Sequence, residues 1–398
     1  MRPPPGPLMA EATAARNAVL ATFFLNGFGF ATWASRIPSV REALDLGSGR
    51  LGLMLLAVSV GALLALPSAG AAVQRVGAAR MVVVGVLVEG VGLLMLAAGA
   101  GALQSVPATA VGLLLIGFGT GTWDVSMNVQ GAEVERRLNR SVMPRFHASF
   151  SLGTVAGAAV GAAATLVGVG VAAHVGVAAV LVTLAGLRSV RRFLPVVPAD
   201  EQQPRGHALR AWAEPRTLVI GIMVLAMALT EGVANDWLAV AMVDGYDAPE
   251  WLGSAAFALF VTAMTGGRLA GTLLLDRFGR LPVLWGSMGV AAAGILLVVF
   301  GHFAVVVSVG IVLWGLGASL GFPVGMSAAA DDPAVAAPRV SVVSTIGYTA
   351  FLAGPPVIGF LGERFGVLRS LLLVAVLLVP SALAVPAARK PEARPPAL

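Results

Sequence analysis

Six ionisable side chains, Glu89, Asp124, His174, Glu231, Asp236 and Arg268, lie deep inside otherwise apolar runs. Such groups are expensive to keep in hydrocarbon, so each is a candidate for function. Asp124 stands in Trp123-Asp124-Val125-Ser126-Met127-Asn128, and at about 100° per residue it shares a helix face with Asn128, Gly121 and Gly117. A carboxylate one turn from a carboxamide can load a proton and hydrogen-bond a small hydroxylated solute, while the glycines let another helix approach. Packing across helices is the alternative use of the same pair. Glu231 stands in Thr230-Glu231-Gly232-Val233-Ala234-Asn235-Asp236-Trp237, where Asn235 shares its face and Asp236 points elsewhere. Asn26 and Trp33 form an analogous pair in the first apolar run. Rings beside amides suit the faces of sugars, although tryptophan is equally at home at a membrane interface. Arg268 suits a structural salt bridge, and Glu89 a tertiary hydrogen bond.

The elements that must position these groups are set by composition. Charged residues make up 12% of the 398 and hydrophobic ones 58%, with a mean hydropathy of +0.88. Soluble domains carry roughly a quarter charged residues. Runs of 18 or more apolar residues recur along the chain, each long enough to cross a bilayer core of about 30 Å. Their backbones must be satisfied internally, which selects helices, and the alternating polarity of a barrel is absent. The expected fold is therefore an all-α integral membrane protein with twelve transmembrane helices. The spans fall at 15–37, 50–73, 81–101, 108–131, 146–169, 170–187, 217–242, 251–275, 283–302, 304–329, 340–361 and 367–387.

Placing the N-terminus in the cytoplasm puts twenty of the 26 lysines and arginines on that side and five outside, with Arg268 within a helix. Both termini are then cytoplasmic and the localisation is the inner, cytoplasmic membrane. The short-loop placement of the arginines makes the net charge of +6 an orientation signal rather than a nucleic-acid footprint. The chain divides into a disordered arm (1–14), a six-helix bundle (15–187), a polar linker (188–216), a second six-helix bundle (217–387) and a tail (388–398). An internal repeat supports two pseudo-symmetric halves: Gln74-Arg75-Val76-Gly77 is matched by Asp276-Arg277-Phe278-Gly279-Arg280, and Gly117-Phe118-Gly119 by Gly315-Leu316-Gly317. Small residues spaced by four, such as Gly153, Gly157 and Gly161, predict close helix packing. Absence of cysteine removes thiolate metal sites and disulfides. No His-Glu-x-x-His and no phosphate loop is present, so neither an enzyme nor an ATP-driven pump is indicated and no cofactor is expected.

The loop residues Arg75-Val76-Gly77 and Asp276 through Arg280 resemble the signature of the major facilitator superfamily. Within it the chain is similar to the fucose permease-like group, in the branch that includes the bacterial inner membrane protein YbjJ. That similarity rests on Thr32-Trp33-Ala34-Ser35-Arg36-Ile37-Pro38, Asp124 through Asn128, Gly317-Ala318-Ser319-Leu320-Gly321-Phe322-Pro323, and Gly347-Tyr348 to Gly354-Pro355-Pro356. The resemblance implies the major facilitator fold, with Asp124 taking part in proton coupling; Glu231, by its own place in an apolar helix, is the rival proton-coupling acid. The resemblance also implies a solute site drawing on Asn26, Trp33, Trp123, Asn128, Asn235, Trp237 and Phe322. Gating falls to Arg75, Gly77, Arg145, Asp276, Arg277, Gly279 and Arg280, with Asp276 near Pro144 and Arg145 when the cytoplasmic side is shut. Gln74 replaces the aspartate usual in the first loop, and the fifth span lacks the Gly-Pro of drug antiporters. The expected partners are a small-molecule substrate, protons and the lipid bilayer, with no nucleic acid, and the expected assembly is a monomer. A proton-driven exporter of drugs or metabolites, and a transporter-like sensor that moves nothing, are the competing readings.

Overall fold

The computed structural model describes residues 7–138, 142–194, 210–332 and 335–390. Every regular element among them is helical. The first part of the chain forms α1 (Pro7–Ala34), α2 (Ile37–Ala43), α3 (Ser48–Val76), α4 (Ala78–Leu96), α5 (Val106–Leu138), α6 (Met143–Leu166) and α7 (Val171–Val190). The second forms α8 (Pro215–Tyr246), α9 (Glu250–Phe278), α10 (Arg280–Phe300), α11 (Ala304–Ala318), α12 (Gly321–Ala329), α13 (Ala336–Phe365), α14 (Val367–Ser370) and α15 (Leu372–Ala384). Among the described residues eleven spans are long and apolar enough to cross a bilayer, and α1 with α2, bent by 40°, supplies a twelfth.

Boundaries follow local chemistry. Gly77 and Gly279 adopt φ of +89° and +76°, a region only glycine enters freely, and there α3 gives way to α4 and α9 to α10. The weakly signalled division between the fifth and sixth spans falls between Leu166 and Val171, with Gly168 at φ +74°. The first helix corrects one expectation. It starts at Pro7, so residues 7–14 are its opening turns rather than part of a disordered arm; the proline tolerated in a first turn and the Ala-rich stretch behind it explain this. Residues 195–209, the core of the expected linker, and 391–398 of the tail lie outside the described residues.

The small-residue row of α6 packs on α1 as expected. A Cβ at Gly157 would fall 2.6 Å from the Phe28 carbonyl oxygen, and the Gly153 and Gly161 positions are tighter still against Phe24 and Ser35. Around this contact lies an apolar core of Val19, Phe23, Val86, Trp123, Phe146 and Val182.

Two compact units emerge, and they do not follow the midpoint of the chain. The first holds residues 1–200 together with 236–261 and 355–367. Inside it, side chains after the first span tie to those two later segments. Arg41 pairs with Asp244, Ser39 donates to Glu250, Ser254 donates to the Ser35 carbonyl at 2.6 Å, and the Gly49 amide donates to Glu363 at 3.1 Å. The second unit holds 201–235, 262–354 and 368–398. There Trp314, fully buried on α11, donates its indole N–H to the Thr230 carbonyl of α8 at 3.0 Å.

Candidate functional site

In the first unit, α5 presents Gly117 and Gly121 to α3, and a Cβ at Gly121 would sit 3.0 Å from that of Ala65. Two turns further on, Asp124 and Asn128 on the same face are only half-buried. Asn128 Nδ2 donates to the Asp124 carbonyl at 2.9 Å and to its carboxylate Oδ1 at 3.2 Å. An amide carries both a donor and an acceptor, so Asn128 can serve the carboxylate and, rotated, the carboxylic acid.

The aromatic residues beside this pair behave differently from expectation. Trp123 is wholly enclosed: its ring reaches α7, where a Cβ at Gly186 would lie 3.4 Å away, and its backbone lies against Gly85 of α4. It is a core residue, because its position on α5 points away from the polar stripe. Trp33 and Trp237 are 2% and 0% exposed, and neither indole N–H has a hydrogen-bond partner among the described residues. Asn26 is fully buried with both amide atoms unpartnered. These four contribute bulk and unspent polarity inside the first unit rather than an open wall.

The second unit holds a cluster that the sequence signalled only in part. Arg268 Nη2 on α9 donates to both carboxylate oxygens of Glu231 on α8, each at 2.9 Å. The side chains keep 29% and 17% of their exposure, so the pair is partly reachable. Next to Glu231, Gly232 gives way to the ring of Phe351, 2.9 Å from where its Cβ would lie. From Phe351 an aromatic ladder continues to Tyr348 at 6.2 Å and then to Phe322 at 6.0 Å between ring centroids. Asn235 is half-buried, and its side-chain oxygen accepts no hydrogen bond from the described residues.

A break in the tenth span borders this cluster. The helix stops at Ala318 and resumes at Gly321, with Ser319 Oγ donating back to the Leu316 carbonyl at 2.6 Å. Gly267, beside Arg268, makes room for it: a Cβ there would fall 2.8 Å from that of Ser319. Gly317-Ala318-Ser319-Leu320-Gly321 has the spacing of a hydrolase nucleophile elbow, but that device needs a strand-to-helix turn and both flanks here are helical. A break in a membrane helix is tolerated where the freed backbone is buried in protein or lines a cavity.

Of the expected gating residues, Arg75, Arg145, Asp276 and Arg277 are exposed, and Arg277 stacks over Phe278 at 5.3 Å. Asp276 and Arg145 belong to different units. The start of α6 is instead capped within its own unit: Glu135 accepts the Val142 and Met143 amides at 2.7 and 2.8 Å. Arg280 has a more definite partner than expected. It grips both oxygens of Asp331 at 3.0 Å and the Ala388 carbonyl at 3.0 Å, while Arg216 holds the same carboxylate at 2.8 Å. Burial works to raise the Asp331 pKa, but the hydrogen bonds and charges of Arg280 and Arg216 outweigh it and hold the carboxyl below its ordinary range. Arg339, bonded at 2.6 Å, likewise holds Glu214 low against the opposing effect of burial.

What sequence reasoning missed is the pairing of Glu231 with Arg268 and the roles of Tyr348, Phe351 and Ser319. The available signal was a glycine directly beside each charged residue, Gly232 and Gly267. Among the described residues no group of histidine and carboxylate side chains suits a metal ion.

A family model described as Major Facilitator Superfamily matches residues 19–337. The uncharacterized transporter y4wD of Sinorhizobium fredii is 34% identical over 351 residues, covering 87% of this chain and 91% of its own length. An uncharacterized MFS-type transporter of Yersinia pestis is 31% identical over 359 residues, covering 90% and 91%. Among solved structures, a mutant of the nucleoside transporter NupG has a TM-score of 0.80 at 15% identity, covering 94% of this chain and 99% of that one. At that identity the likeness concerns the fold.

Proposed function

The chain belongs to the major facilitator superfamily, and from that premise we propose that it is a proton-coupled transporter of a small polar, sugar-like solute, working by alternating access. The observation that carries this reading is the Glu231–Arg268 pair, set between an aromatic ladder and a broken helix in the second unit. A partly exposed ion pair offers donors and acceptors to hydroxyls, and rings beside it suit the apolar faces of a sugar. In this reading Glu231, Arg268, Asn235, Tyr348 and Phe322 are solute contacts of the second unit, and Asn128 is one of the first.

Asp124 takes the proton. Asn128 stabilises either protonation state, so loading and unloading are not blocked by a lost hydrogen bond. Salt-bridged Glu231 is the less suited carrier, because its charge is already committed to Arg268. The narrower kinship to the fucose permease-like group, the cytoplasmic location of both termini and a monomeric assembly belong to the same proposal. Gating roles for Asp276 in the second unit and Arg145 in the first belong to it as well.

The test is Asp124→Asn in proteoliposomes, with candidate sugars and nucleosides as solutes. A permanently neutral side chain should abolish accumulation driven by a proton gradient while energy-independent counterflow survives. Counterflow lost in Asp124→Asn, with gradient-driven accumulation intact in Glu231→Gln, would overturn the assignment.

A further inference from the structure

Away from both polar clusters, the first unit carries a groove of about 800 Å³ walled by α1, α6 and α7. Its depth comes from small and apolar side chains, among them Ala18, Ala21 and Phe24 of α1 and Ala185 of α7. Its few hydroxyls are spent on their own surroundings: Ser149 donates to the Leu20 carbonyl and Ser189 to the Ala185 carbonyl, each at 2.9 Å. One end of the groove is strongly basic, where Arg188, Arg191 and Arg192 stand at and just beyond the end of α7. Arg16 on α1, hydrogen-bonded to the lining residue Asn17 at 2.9 Å, adds a fourth guanidinium beside it. Arg188, Arg191 and Arg192 are exposed, and no carboxylate pairs with any of them among the described residues.

The combination is specific. Exposed arginine at the cytoplasmic end of a helix is ordinary in a membrane protein. An apolar trough that leads into three unpaired guanidinium groups is not, because its two ends suit the two ends of one amphiphile. Water gains nothing from the trough, and a soluble anion would use only the rim. We propose that this groove is a binding site for an anionic phospholipid of the cytoplasmic leaflet. One acyl chain lies along α1 past Ala21 and Phe24, and the headgroup phosphate is held by Arg188, Arg191 and Arg192. Arginine suits that role through its planar, multi-donor fork, and basic pockets between helices on this side are the chemistry that selects such headgroups. The site is independent of the transported solute.

The experiment measures lipid retained by the purified full-length protein, by native mass spectrometry after detergent exchange, and its thermal midpoint on adding phosphatidylglycerol or phosphatidylcholine. Phosphatidylglycerol should stay bound at one molecule per chain and raise the midpoint, and phosphatidylcholine should do neither. Arg188→Gln/Arg191→Gln/Arg192→Gln should lower retention at least tenfold. Ala21→Trp, which fills the trough and leaves every charge in place, should lower it as well. Single Arg191→Gln, at an exposed side chain, gives a folded protein with a smaller loss if the triple variant does not express. Equal stabilisation by both lipids, full retention in Ala21→Trp, or displacement of the lipid by millimolar inorganic phosphate would each overturn the proposal. The last two outcomes would leave only a diffuse basic surface or a free-anion site.

Discussion

If Glu231 and Arg268 hold each other in the folded protein, removing either should leave its partner stranded, and removing both should cost far less than the sum. Each carboxylate oxygen lies 2.9 Å from the same guanidinium nitrogen, a separation at which unit charges attract by about 6 kcal/mol at an effective dielectric near 20 and by roughly 1.4 kcal/mol in water. With 29% and 17% of the side chains exposed, neither limit applies, and desolvation offsets part of the gain. The expected loss is about 2–3 kcal/mol for Glu231→Gln or Arg268→Gln alone, with a coupling of about 1.5–2 kcal/mol in the double variant. Thermal and denaturant unfolding in detergent measures the cycle, and counterflow in proteoliposomes is run on the same four proteins. Strict additivity within about 0.5 kcal/mol would refute the pairing. Strong coupling with unaltered counterflow would keep the ion pair as a brace and remove it from the solute site.

The remaining expectations are shorter. Asn128→Ala should weaken solute binding by about 1–3 kcal/mol by removing an amide that hydrogen-bonds the solute, as read by titration calorimetry; an unchanged affinity for every ligand found would discard the polar-solute reading. Glu363→Ala with Arg41→Gln removes two of the ties that join residues 35–49 to later segments, so spin-label distances across that end should broaden towards an open population. Because the folded pKa values of Asp331 and Glu214 lie below their ordinary 3.8 and 4.5, their contribution is present above that range and is lost as pH falls through the folded values. Asp331→Asn should therefore flatten the acid limb of thermal stability measured between pH 6 and about 3, and an acid limb as steep as the parent's would refute that attribution.

Much of this architecture was legible because hydrocarbon leaves few choices. An 18-residue apolar run has to be a helix, so the number of spans and the punctuation at Gly77, Gly168 and Gly279 followed from hydropathy and glycine placement. The Asp124–Asn128 pair was equally legible, since two residues four apart on one helix must meet. Contacts between helices were not. Arg268 suggested a structural salt bridge, but nothing in the spacing of 231 and 268 announces its partner. Trp123 misled for a related reason: an aromatic beside an acid reads as a cavity wall, yet one step along a helix is about 100° of rotation, enough to carry it into the core between α4 and α7. The break at Ser319 escaped notice because glycine, alanine and serine are also what a continuous, closely packed membrane helix contains.

On three helices the boundary between the compact units falls within the helix itself. Glu231 and Asn235 fall in the second unit, and the next residue of α8, Asp236, is already in the first. On α9 the change comes between Val261 and Thr262, about two turns from Arg268. On α13 it comes between Gly354 and Pro355, one turn past Phe351. The three helices that supply the charged pair and the ladder's Tyr348 and Phe351 are thus the three whose far ends join the first unit, through Asp244, Glu250 and Glu363. Glu231 and Asp244 are separated by about three and a half turns of α8, and Arg268 and Glu250 by about five turns of α9. Pro355 and Pro356, which each remove a backbone donor inside α13, sit at its crossing point, where such a helix bends most cheaply.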